Sequence, residues 1–237
     1  MKLLRLIFLA LLTCIVFNSC LKEKKSDVYF SCEKFIDSLN IGGERITKIG
    51  VENFRNDKRE DNFVIVSFYQ RDSIWDHKKQ KNVGEIWKSM QRFYFDKDGL
   101  TGINAEISDF NNDGFKDFTF QSGIAARGGN VIRTLFIYNP ESKNFTLIKN
   151  SDSFPNLSYN STLNCINSLI LTGSTTTSFL KIKGDSLDEF ARVDVSDKIL
   201  VEEKDSSGKF RIIEEKIFTG NDEDFYRTYK NYKPLEF

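Results

Sequence analysis

Between residues 45 and 218 the chain repeats one pattern: short runs with an apolar residue at every second position, separated by clusters of Asp, Asn, Gly, Ser and Pro. Successive side chains of a β-strand point to opposite faces, so each such run can bury one face and wet the other. The spacing predicts strands over residues 45–51, 62–69, 91–95, 102–107, 117–121, 133–138, 145–148, 168–171, 176–182, 189–195, 199–203 and 210–218. Turn-forming segments at 96–99, 139–144, 183–188 and 205–209 join consecutive runs, which is the mark of antiparallel hairpins. Phenylalanine is abundant, at 22 residues, and aromatic rings favour pleated, half-buried surfaces. Helical spacing is confined to two places, Phe35 with Leu39 in 32–39 and Ile86 with Met90 in 84–90, each four residues apart. The expected fold class is all-β: an antiparallel meander, propeller-like or barrel/sandwich, with one or two short helices. With three prolines and no Ser/Gly-rich linker, residues 28–237 read as a single β-rich domain, and the hairpins share no fixed repeat.

One connection stands apart. Asp109-Phe110-Asn111-Asn112-Asp113-Gly114-Phe115-Lys116-Asp117 places oxygen-bearing side chains at loop positions 1, 3, 5 and 9 and glycine at position 6. Calcium takes six to eight hard oxygen ligands, and a glycine lets the backbone reverse and turn a carbonyl inward. The spacing therefore assigns Ca2+ to Asp109, Asn111, Asp113, the carbonyl of Phe115, and Asp117. Position 12 is Phe120 rather than a bidentate Glu, and the flanking residues alternate, so the loop joins strands and is not an EF-hand. A polar turn without metal would use the same residue types.

Residues 1–19 have the form of a secretory signal peptide: Lys2 and Arg5, an apolar run from Leu6 to Phe17, then Asn18-Ser19 before Cys20. Phe17-Asn18-Ser19-Cys20 reads as a lipobox, with Cys20 as the lipidation site and residues 20–27 as a charged tether. The expected location is the bacterial cell envelope, membrane-anchored on the periplasmic face or at the outer membrane. Of the other cysteines, Cys14 lies in the leader, which leaves Cys32 and Cys165 as either one disulfide or two buried free thiols.

Charge and chemistry exclude several classes. The whole chain balances 34 basic against 34 acidic residues, and loss of the leader tips it slightly acidic. With no basic excess or stripe, nucleic acid is not a partner. The single histidine, His77, sits in a charged segment between two strands and reads as a solvated loop residue. No nucleophile elbow and no zinc spacing occur, and acid pairs such as Glu202–Glu203 or Glu214–Glu215 suit wet strand faces, so the chain reads as non-catalytic. The loop Ser122-Gly123-Ile124-Ala125-Ala126-Arg127-Gly128-Gly129-Asn130 lacks phosphate-loop spacing; Ser122, Gly123 and Arg127 are candidate partner-binding residues at a hairpin tip. Trp87 is expected in the core.

From Ala105 to about Val195 the order of features resembles a family of bacterial envelope lipoproteins with one calcium loop of the VCBS/FG-GAP-like type: strand, loop 109–117, Gly-rich turn 123–130, then Leu135-Phe136-Ile137-Tyr138-Asn139-Pro140. The resemblance implies a β-propeller-like periplasmic domain and, through members that are immunity proteins, an inhibitor of an exported cell-wall (peptidoglycan) hydrolase that inserts a loop into the enzyme's cleft. The Ser-Gly-x-x-Tyr loop of related lysozyme inhibitors is matched here only at Ser122-Gly123. Another envelope protein is a possible partner, and a glycan-binding or surface-adhesion module is the competing reading.

Overall fold

The computed structural model describes residues 28–43, 45–57 and 62–237. The leader, Cys20 and the tether lie outside the described residues. The chain is all-β, built as three antiparallel meanders in sequence. Sheet A contains β1 (Tyr29–Asp37), β2 (Thr47–Asn56), β3 (Asn62–Asp76) and β4 (Lys81–Asp96). Sheet C contains β5 (Glu106–Ser108), β6 (Asp117–Ala125), β7 (Asn130–Asn139) and β8 (Asn144–Ile148). Sheet D contains β9 (Ser158–Asn160), β10 (Cys165–Leu171), β11 (Thr175–Lys183), β12 (Ser186–Val195), β13 (Lys198–Lys204) and β14 (Phe210–Ile217). Each sheet keeps two edges, so none closes into a barrel. A short helix, α1 (Asp222–Phe225), and a small hairpin of β15 (Asn231–Tyr232) and β16 (Leu235–Glu236) end the chain.

The alternation along β7 explains how the sheets stack. Phe136 and Tyr138 point into a core shared with Val51, Val66 and Phe68 of sheet A. Leu135 and Ile137 point the other way, into a core shared with Ile166, Leu180 and Leu187 of sheet D. Sheet C is therefore a middle layer buried on both faces, with Leu135 to Tyr138 of β7 an unbroken apolar run and β6 alternating Phe118 and Phe120 with the buried Thr119 and Gln121. A third cluster joins Phe179, Val193 and Val201 of sheet D to Tyr229 of the C-terminal segment.

Both expected helices are strands. Residues 32–37 belong to β1 and 84–90 to β4. An interval of four is even, so residues i and i+4 share a face of a strand as well as a side of a helix; the spacing of Ile86 and Met90 did not discriminate. Trp87 is not core either: it is half-buried on the outer face of sheet A, with Lys48 Nζ 5.4 Å and the Arg71 guanidinium 5.3 Å from its ring. Of the two alternatives for Cys32 and Cys165 the structure has free thiols and not the disulfide, but only Cys165 is buried as that alternative expected. Cys32 is exposed on β1 and Cys165 buried on β10, in sheets that lie on opposite faces of sheet C. Burial holds the Cys165 thiol protonated, with its pKa raised to about 11.

Candidate metal centre

The loop 109–117 is fixed by two aromatic anchors. Phe110 is buried in the core between sheets C and D, and Phe115 packs against the core between sheets A and C, its ring 5.7 Å from that of Tyr138. Five residues apart, the anchors drop into different cores and leave Asn111 to Gly114 on the surface between them. The reversal places Asn112 at φ 57° and Gly114 at φ 88°, the left-handed region that asparagine and glycine tolerate. A bridge of paired backbone bonds, Gly42 N–H to Lys116 O at 2.9 Å and Lys116 N–H to Gly42 O at 3.2 Å, ties the loop to the chain before β2.

Side chains hold the loop in a coil. Asp109 accepts from the Asp113 N–H at 3.2 Å and from the Gly114 N–H at 3.0 Å. Asp113 accepts from the Phe115 N–H and from the Asn111 amide, both at 2.8 Å, while Asn111 Oδ1 accepts from the Asp113 N–H at 3.3 Å. A carboxylate oxygen that takes one such bond keeps a second lone pair.

Asp117, the first residue of β6, is fully buried. Its Oδ2 accepts from the Phe110 N–H at 2.8 Å and its Oδ1 from the Tyr138 N–H at 2.9 Å, so one carboxylate closes the base of the loop and joins it to β7. Burial raises its pKa to about 7; the two amide bonds oppose this, and Asp113 and Asp109 add to it. A carboxyl whose folded pKa is raised favours folding while protonated, and that advantage is lost as pH rises from about 4 towards 7 unless a cation compensates the charge.

The donor set, three carboxylates and an amide on one wrapped loop, has the chemistry of a calcium site. Among the described residues no group of three or more His, Cys, Asp and Glu side chains is gathered as a metal-holding cluster, because the acids here turn to the loop's own amides.

At the other end of β6 lies the second candidate region. Ser122 is the extra residue of a bulge between Gln121 and Gly123, and its Oγ bonds the Ile132 carbonyl at 3.4 Å. Gly123 pairs with Ile132 inside the hairpin, and Arg127 is exposed at the tip. Ala126 and Arg127 turn the chain with φ of 48° and 55°, an unusual conformation for residues with a Cβ. The base is held down: Asn130 exchanges two bonds with the Leu171 backbone, at 3.0 and 2.9 Å, and Asn156 Nδ2 reaches Gly129 O at 2.9 Å. The three residues thus share one hairpin, with only Arg127 fully outside. His77 is exposed in the β3–β4 turn, as expected of a solvated loop residue. The Tyr138 amide that fixes Asp117 left no trace in the sequence, since a backbone donor carries no residue signature.

No protein-family model and no curated protein matches the chain. A solved structure described as a Xanthomonas type IV secretion system related protein is similar to it at 14% identity and a TM-score of 0.43, covering 83% of this chain and 97% of the other. No described helix is long and apolar enough to cross a membrane.

Proposed function

We propose that the protein is a non-catalytic envelope lipoprotein whose β-rich domain, stiffened by calcium at Asp109, Asn111, Asp113, Phe115 and Asp117, binds a macromolecule through the β6–β7 hairpin and inhibits it. The favoured partner is an exported peptidoglycan hydrolase. The observation that carries this reading is the placement of both regions on one strand: β6 starts at the buried Asp117 and ends at the tip that exposes Arg127. A cation held at the loop would draw Asp109, Asn111 and Asp113 together and stiffen the strand that presents the tip. Arginine is a frequent interface anchor, and a rigid hairpin loses little freedom on entering a cleft.

The test is an affinity capture from envelope and secreted fractions with residues 21–237, in calcium and in chelator, read by mass spectrometry. Capture of a peptidoglycan hydrolase that is reduced by chelator and by Arg127→Ala is the expected result. Recovery of polysaccharide alone would overturn the inhibitor and favour a glycan-binding module.

A further inference from the structure

Sheet A is an outer layer, and its two faces differ. The inner face carries Val64, Val66 and Phe68 into the core with sheet C. On the outer face the register lines up Phe54 with Phe63, Lys34 with Glu52, Ile65 and Tyr94, Gly50 with Ser67 and Arg92, Lys48 with Tyr69, and Arg71 with Trp87. Tyr29 joins the Phe54–Phe63 end, its ring 5.1 Å from that of Phe63. The cations are held over these rings. Lys48 Nζ stands 4.8 Å from the Tyr69 ring and 5.4 Å from Trp87, and the Arg92 guanidinium stands 5.3 Å from Tyr94. Between them Gly50 and Ser67 leave a depression of about 280 Å3, bordered by Lys34, Lys48, Tyr69 and Arg92.

Among the described residues the acids on this face are Glu52, Glu85 and Asp96. Glu52 bridges to Lys34 at 3.2 Å and Glu85 to Arg71 at 3.4 Å. Asp96 lies beside Phe63 at the far end. At the middle of the face Arg92 also feels the charge of Glu52, while Lys48 is left with ring partners.

We propose that the outer face of sheet A is a membrane-contact surface that lies against an anionic phospholipid bilayer. Rings interleaved with ammonium and guanidinium groups suit the headgroup layer, where aromatics occupy the interface and basic residues meet phosphate. The preceding chain points the same way. From Cys20 to Val28 the backbone reaches about 30 Å at full extension, and β1, where it enters the fold, lies at the edge of this sheet. An anchored protein therefore holds sheet A within reach of the bilayer, and the β6–β7 tip belongs to a different sheet. The inference draws on the anchored reading for orientation only, and its test omits the anchor.

All three core clusters fall within residues 28–237, so this segment carries its own core and serves as the test protein. It is mixed with vesicles of phosphatidylglycerol and phosphatidylethanolamine, or of phosphatidylcholine alone, and sedimented at low and moderate salt. The expected result is sedimentation with the anionic vesicles only, weakened by salt, reduced roughly tenfold or more by Lys48→Glu with Arg92→Glu, and reduced severalfold by Trp87→Ala, with melting temperatures unchanged. Absence of wild-type binding, equal binding by the variants, or retention on dextran sulfate without vesicle binding would overturn it; the last would mark a polyanion site. Labelled palmitate incorporation into the full chain and its Cys20→Ser variant tests the anchor separately.

Discussion

Asp117 shows how one side chain serves several parts of the structure. It is buried, accepts an amide from its own loop and another from β7, and lies within the influence of two further acids. Asp117→Ala leaves two buried amides without a partner, at about 1–3 kcal/mol each. We expect the urea midpoint to fall accordingly, and Asp117→Asn, which keeps one accepting oxygen, to fall between the two. A midpoint for Asp117→Ala equal to that of the unmodified protein would show that these bonds do not hold the loop. Gly42 makes a second residue-level prediction. Its φ is 64°, and an added Cβ would stand 2.9 Å from Thr47 Oγ1 and 3.2 Å from the Tyr138 ring. Gly42→Ala should destabilise by about 1 kcal/mol or more, since it adds left-handed strain to a contact that must shift. Thermal melting decides it, and an unchanged or higher melting temperature would contradict the argument.

At the scale of elements, the loop joining β5 to β6 is where calcium makes its prediction. A ligand that binds only the folded state stabilises by RT ln(1 + [L]/Kd), about 2.7 kcal/mol at a hundredfold excess over Kd. The melting temperature should rise on adding calcium to the chelated protein, and Asp109→Ala or Asp113→Ala should remove the rise. Identical melting curves in calcium and chelator would sink the metal assignment and leave the loop as a hydrogen-bonded turn. The elements themselves were largely legible, because a half-buried strand writes its period of two into the sequence. The run at 133–138 lies inside β7, and 210–218 matches β14 to within one residue. What was not legible has identifiable causes. The exposed β1 alternates weakly, and residues 32–39 offered an interval common to strand and helix. β3 and β4 run past β2 as a two-stranded arm in which Ile74, Trp75, Val83 and Ile86 are exposed, so no buried face writes alternation there. In the candidate site the acids announced the loop, while the partners of Asp117 are backbone amides that no sequence pattern displays.

At the scale of the whole molecule, sheet C ties the other two sheets together. β7 sends Phe136 into the core with sheet A and Leu135 into the core with sheet D, and β8 likewise divides Phe145 and Ile148 between them, so unfolding either core strips one face of the same strands. The sheets should therefore unfold as one cooperative unit despite the stepwise order of the meanders along the chain. Phe136→Ala should cost about 3–5 kcal/mol and Leu135→Ala about 2–5 kcal/mol, each through a cavity at a fully buried position. The two variants open different cores, yet both should shift a single transition to lower denaturant. Tryptophan fluorescence and far-ultraviolet circular dichroism supply the comparison. Trp75 and Trp87 both lie in sheet A, whereas circular dichroism averages over all the sheets. Coincident curves for both variants would support a shared middle layer. If Leu135→Ala left the fluorescence transition in place while circular dichroism split in two, sheet A would be stable without sheet D, and the β6–β7 hairpin would have to be understood with sheet A alone behind it.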